Sequence, residues 1–206
     1  MDYQVTFPLR YLQAARLIAP KKDIRQYLMG VAVSQGHVVG CDGHMVGAIR
    51  CEAADGLPEV ITPNDQIDFY LKKIKGWAGE DVTIEWGEDR KGRITNGIIE
   101  EQFVAYDGRY PDFQRVLVHH TKPAGNPQFQ WHKLVTFEKV AEALGVGRRD
   151  EHKAYLLPDG NENAARVIIP DHPEFQGAIM PLRSKFLGPS IRLIGANTVE
   201  TAEDLV

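Results

Sequence analysis

The sequence predicts an α+β protein. Three segments repeat apolar residues at helical spacing. Many short runs rich in β-branched and aromatic residues lie between them, separated by turn dipeptides. The helices interrupt blocks of hairpins rather than alternating one for one with strands, which separates α+β from α/β.

A first strand is expected over residues 4–7. The helix over 9–19 follows at once, with Pro8 at its start and Pro20 as its stop. Leu9, Leu12, Ala15 and Ala19 share one face of it. Strands are expected over 28–34, 37–39 and 45–49, with turns at Gln35-Gly36 and Asp42-Gly43. The second helix spans 64–77. Thr62-Pro63-Asn64-Asp65 supplies an N-cap, a proline at the first helical position and an early carboxylate. Ile67, Leu71 and Ile74 form its apolar stripe. Asp65 and Asp68 lead and Lys72 and Lys75 trail, the order that the helix dipole favours. Strands over 82–86, 92–95 and 98–106 follow. The third helix spans 132–144, with Leu134, Phe137, Ala141 and Leu144 inward and Gly145 or Gly147 at its end. Further strands fall over 155–157, 165–169 and 177–180. A helix followed by a block of strands recurs twice before residue 118 and once after it, a weak sign of an internal repeat.

With 206 residues, 43% of them apolar, the chain can bury a core as one large domain or two small ones. The strongest joint is HHTKPAGNP at 119–127, where prolines, glycine and asparagine interrupt all periodicity. No apolar run is long enough to span a membrane. The N-terminus lacks the pattern of a secretory signal. Cys41 and Cys51 read as cytosolic thiols. The net charge of −4 excludes a globally basic nucleic-acid binder but allows segregated basic patches.

Catalytic signals are sparse. His37, Asp42 and His44 crowd a turn, but their spacing fits no metal-ligand pattern. Asp107, Asp112, Glu100 and Glu101 read as solvated carboxylates. No nucleophile elbow, phosphate loop or dinucleotide fingerprint occurs. No metal, cofactor or enzymatic activity is expected. A small metal-dependent enzyme built on those histidines and acids is one rival reading. A purely structural interaction protein is another.

The basic residues form two clusters. Arg10, Arg16, Lys21, Lys22 and Arg25 face a single acid, Asp23, and Lys72, Lys73 and Lys75 crowd the end of the second helix. Brought onto one surface, they would attract phosphate. Six residues separate Arg10 from Arg16, so they lie about 120° apart around a helix and cannot both point straight at one ligand. Solvated helix faces are the plainer reading of these clusters.

Four segments together are more specific. They are DIRQYLMGV at 23–31, Asp42-Gly43-His44, DGRYPDFQRVL at 107–117, and Met180-Pro181-Leu182-Arg183. In this order they resemble the bacterial sliding clamp, the beta subunit of DNA polymerase III. The resemblance implies that residues 1–118 form one complete clamp-like domain like the family's middle domain. It implies that 119–127 is a linker and that 128–206 holds the later part of a last domain, with an extension over 184–206. The extension would add a strand, form a new interface or cover a pocket, the first being expected. Such a compact remnant would suit a phage or mobile element.

In the family, helices face a central DNA channel and a pocket between two domains takes short peptides of polymerase-associated proteins. The positions matching that pocket are Leu28, Cys41, Gly43, His44, Met45, Val46, Pro111, Arg115, Val116, Ala178, Met180, Pro181, Leu182 and Arg183. Apolar side chains with two methionines suit an adaptable groove for a Leu or Phe anchor. Arg115, Arg183 and His44 suit a polar rim. Met45 departs from the family, where a basic residue is usual. The resemblance thus implies a cytoplasmic, non-enzymatic replication protein with clamp-motif proteins as partners. It would act either as a processivity factor in a ring of several copies around double-stranded DNA, or as a non-ring competitor or recruiter of replication proteins.

Overall fold

The computed structural model describes residues 2–76, 79–117, 127–147, 154–160 and 162–182. Arg183, the extension over 184–206 and most of the joint at 119–127 lie outside the described residues. The element order is β1 (Tyr3–Pro8), α1 (Leu9–Ile18), β2 (Gly30–Ser34), β3 (His37–Cys41), β4 (Met45–Arg50), β5 (Val60–Pro63), α2 (Asn64–Lys73), β6 (Asp81–Trp86), β7 (Lys91–Thr95) and β8 (Glu100–Val104). There follow α3 (Gln114–Leu117), α4 (Trp131–Leu144), β9 (Tyr155–Leu157), β10 (Ala165–Ile168) and β11 (Phe175–Ile179).

The strands form two antiparallel sheets. One has four strands in the order β1-β6-β7-β8, and the other has seven in the order β5-β2-β3-β4-β11-β10-β9. The larger sheet crosses the joint. β11 pairs antiparallel with β4, with Ala178 opposite Val46 and Ile179 opposite Met45. Within the later segment, α4-β9-β10-β11 repeats the order α2-β6-β7-β8. The repeat read weakly from the sequence is therefore present in the topology.

Period-2 alternation sorts the side chains of the large sheet onto two covered faces. Val31, Val33 and Val38 enter a core with Leu12 and Ala15 of α1, Ile67 and Tyr70 of α2, and the inner face of the four-stranded sheet. Met45, Ile49, Phe175 and Ile179 enter a second core with Ala14 and Ile18 of α1 and Phe137, Val140, Ala141 and Leu144 of α4. Ala32, Val39, Cys41, Val46, Ala48 and Ala178 point the other way, into a third core beneath Tyr110 and Phe113. Burial on both faces explains why these strands read as continuous apolar runs rather than alternating ones.

Several boundaries differ from expectation. Residues expected to begin the strand at 28 form a 3-10 turn over Gln26–Leu28, and β2 starts at Gly30. β5 was not expected. Its four residues are fully buried, and the cap reading of Thr62 and Pro63 concealed it. Pro63 ends β5 and occupies the N-cap of α2, which has no side-chain cap. Asn64 instead uses its side-chain amide to donate to the Pro20 carbonyl at 2.9 Å. α2 ends at Lys73, short of the expected 77. α4 ends as read, with Gly145 left-handed at φ 116° and its N–H donating to the Ala141 carbonyl.

Candidate peptide site and basic surface

The site is built around the β3–β4 turn. Asp42 folds it: Oδ1 accepts the backbone N–H of His44 at 2.8 Å and of Met45 at 2.7 Å. Its own N–H donates to the Met45 carbonyl at 3.1 Å. Gly43 takes φ +85°, a conformation that L side chains rarely adopt. A Cβ there would also meet the Arg25 guanidinium at 2.6 Å. The His44 carbonyl accepts the N–H of Met180 at 2.8 Å, joining the turn to the end of β11. Leu182 continues the joint by donating its N–H to the Gln128 carbonyl at 2.7 Å.

The strap at 106–117 covers the outer face of the large sheet. Glu59 anchors it by accepting the Tyr110 N–H at 2.8 Å, while its other oxygen accepts the Ser34 hydroxyl at 2.6 Å. The Tyr110 ring is buried, and burial pushes its hydroxyl pKa well up. Phe113 meets His37 edge to face at 5.5 Å. Beneath the strap lie Leu28, Cys41, Val46 and Ala178, all buried. At its end α3 packs against β11. Val116 on α3 and Met180 just beyond β11 are each 42% exposed. Gly43, His44 and Arg115 are exposed, and Pro111, Pro181 and Leu182 are half-buried.

The structure thus brings most of the sequence-predicted peptide positions to one face, with two corrections. Leu28, Cys41, Val46 and Ala178 form the packed floor, leaving Val116 and Met180 as the exposed apolar groups. Met45 does not share the face. It precedes Val46 in β4, so it points to the opposite face, and it packs with Ile49 and Phe137 on the other side of the sheet. Sequence reading missed Lys133, a 7% exposed lysine on α4 that ion-pairs with Asp42 Oδ2. Its signal was visible: Lys133, Phe137, Val140, Ala141 and Leu144 occupy one apolar stripe, where an unpaired lysine would be costly. Breaking a buried ion pair by removing one partner costs about 3–5 kcal/mol.

The predicted basic surface is less available than the sequence suggested. Arg16 makes a bidentate pair with Asp68 at 2.8 and 2.6 Å, tying α1 to α2. Arg25 is paired with Asp23 and lies over Gly43, at the β3–β4 turn. The Arg25 hydrogen bond holds the Asp23 carboxyl at about 2. Lys73 binds Glu101 at 2.5 Å and lies 5.4 Å from the Phe69 ring. Arg10 lies 5.8 Å from the Tyr11 ring and is exposed. Lys21, Lys22, Lys72 and Lys75 are exposed without an ion pair among the described residues.

No group of three metal-capable side chains occurs among the described residues. A separate cleft of ≈ 310 Å³ lies between β5 and the ends of β1 and β6, lined by Tyr3, Trp86, Tyr106, Glu59, Arg90 and Asp107. Most of its charges are already engaged, because Arg90 pairs with Asp107 and Glu59 holds the strap. None of the sequence-predicted peptide or DNA positions lines it, and of the acids in the rival enzyme reading only Asp107 does.

A seven-stranded sheet carried from the earlier segment into the later one by the β4–β11 pair, with α1 and α4 packed on it and a four-stranded sheet beside it, defines a clamp-fold protein. Solved structures bear this out. The chain has the fold of the DNA polymerase III beta sliding clamps. A Bartonella birtlesii clamp bound to griselimycin superposes with a TM-score of 0.61 at 17% identity, covering 88% of this chain and 66% of that one. A Pseudomonas aeruginosa clamp gives 0.58 at 16% identity, with 88% and 67% covered. A DNA polymerase III beta subunit from Eubacterium rectale gives 0.59 at 12%, with 88% and 65% covered. The chain spans about two thirds of the length of these clamps. No protein-family model matches the sequence, and no curated protein sequence matches it. No helix among the described residues is long and apolar enough to cross a membrane.

Proposed function

We propose that this chain is a non-enzymatic, clamp-like replication protein that captures short peptides of polymerase-associated proteins. Residues 1–118 then act as a complete clamp domain and 128–206 as a partial one. The observation that carries the reading is the joint itself. β4 and β11 meet so that the Asp42–Met45 turn, Val116 and Met180 frame one surface contributed by both segments. Exposed Val116 and Met180 suit an apolar anchor, and exposed His44 and Arg115 suit its polar flank.

Of the two versions of that role, the pairing of Arg16, Arg25 and Lys73 favours peptide capture without DNA encirclement. These cations are already neutralised by carboxylates and would have to exchange partners to hold phosphate.

Isothermal titration with a Leu/Phe-anchored clamp-motif peptide tests the reading, with griselimycin as a second probe. Saturable binding is expected, weakened at least tenfold by Val116→Asp together with Met180→Ala. Absence of binding by both probes, or binding indifferent to the double substitution, rejects it.

A further inference from the structure

The peptide reading leaves Lys133 without a part. A continuous chain of polar contacts begins at this residue. Lys133 Nζ ion-pairs with Asp42 Oδ2, and the other oxygen of the same carboxylate accepts the N–H groups of His44 and Met45. The His44 carbonyl in turn accepts the N–H of Met180. Five residues from α4, the β3–β4 turn and the end of β11 are thereby linked, from a buried ammonium on α4 to an exposed thioether beyond β11.

Both charged side chains are largely withdrawn from water, at 9% and 12% exposed. Lys133 lies between the apolar core of α4 and the turn, so no solvent cation can readily take its place. A carboxylate deprived of its counter-ion at that depth must draw in water, and that shifts the atom that folds the turn.

We infer that Lys133 is the positioning residue of the peptide site: it fixes the Asp42 carboxylate, and through it sets the turn and Met180 for the ligand. The inference rests on the peptide-capture reading for its consequence in binding, but not for its consequence in the free protein. It also makes the site conditional on the docking of α4, because the first segment alone has the turn but not the ammonium.

The test has two arms. The first is amide hydrogen exchange on the free full-length protein. Lys133→Met should accelerate exchange at His44, Met45 and Met180 by at least tenfold, while Val38 and Val39 in the neighbouring β3 keep their protection. The second is titration of the same variant with the Leu/Phe-anchored peptide, where a tenfold or greater weakening is expected, the scale of one lost charge-assisted hydrogen bond. Asp42→Asn keeps an acceptor toward the turn and removes the charge facing Lys133. It should weaken binding too, and the double substitution should be no worse than the poorer single one. If Lys133→Met does not fold, Asp42→Asn carries both arms.

Unchanged exchange at His44 and Met45 overturns the inference, as does unchanged affinity in a wild type that binds. Additive losses in the double variant also overturn it. Failure of the wild type itself to bind either probe rejects the peptide reading, while the exchange arm still decides what Lys133 does to the turn.

Discussion

Tyr70 is fully buried on α2, and its hydroxyl has no hydrogen-bond partner among the described residues. Burial pushes its pKa up to about 12, against about 10 in an unfolded chain. The folded state therefore holds this proton more tightly. The stability that follows is complete below about pH 10 and is lost as pH rises toward about 12. A shift of this size corresponds to about 2–3 kcal/mol. Tyr70→Phe removes an unsatisfied hydroxyl, so at pH 7 it should be neutral or stabilising by up to about 1 kcal/mol. Between pH 10 and 12 the variant should outlast the wild type in urea melts, and parallel alkaline losses in the two proteins would refute the burial argument. The same attention to single residues explains what was legible at the site. Leu28, Cys41, Val46 and Ala178 were legible as site positions only through the family resemblance, since Leu28 alone lies in one of its four segments and the burial of the others comes from strand pairing that leaves no local motif. Met45 was misplaced because adjacent strand residues cannot share a face, and the motif was read without its period. Lys133 was missed because its partner Asp42 is remote in sequence, even though the lysine interrupts an apolar stripe.

Helix α1 lies close against the large sheet, and the sequence pays for this approach with glycine. A Cβ on Gly40 of β3 would fall 2.0 Å from the Ala15 carbonyl oxygen and 3.1 Å from Ile18 Cβ. The obstacle is backbone, which cannot step aside as a flexible side chain could. Gly40→Ala should therefore destabilise the protein by about 1–3 kcal/mol, the usual cost of overpacking. Gly56→Ala is the matched control, with φ +72° but nothing within 4 Å, and should cost about 1 kcal/mol for the left-handed backbone alone. Equal urea midpoints for the two variants would show that α1 does not press on β3. Such approaches between elements are what a single sequence conceals. Helical spacing made part of the helix cores legible: Leu12, Ala15, Ile67, Ile74, Phe137, Ala141 and Leu144 are buried as read, while Leu9, Leu71 and Leu134 are only partly so and the buried Ile18, Tyr70 and Val140 were not expected. β5 was not, because four buried residues running into a helix carry no alternation to count. The continuity of the large sheet across the joint was also invisible, since β4 and β11 are separated by more than a hundred residues and their pairing leaves no local signal.

At the scale of the whole molecule, the joint between the two segments dictates what the chain can assemble into. The later segment repeats α2-β6-β7-β8 as α4-β9-β10-β11, and the last strand of the repeat, β11, pairs with the edge of β4. In the earlier segment the corresponding last strand is β8, which pairs with β7 alone among the described residues. A head-to-tail ring built on this same joint would need a second β4-like edge to receive β8. β4 is the strand that plays that part, and its two sides are already taken by β3 and β11. The described edge is also partly guarded, because Lys73 bonds the Glu100 carbonyl at 3.3 Å and the Glu101 carboxylate beside it. The expected state of the purified chain is therefore a monomer at micromolar concentration in light scattering. Its attraction to duplex DNA should be weak and steeply salt-dependent, with Lys21, Lys22, Lys72 and Lys75 carrying it, since these cations have no ion pair among the described residues. Replacing those four lysines by alanine should abolish duplex binding at low salt and leave peptide affinity unchanged. A closed oligomer in solution, or duplex binding that survives both the fourfold substitution and physiological salt, would overturn this argument and restore the ring.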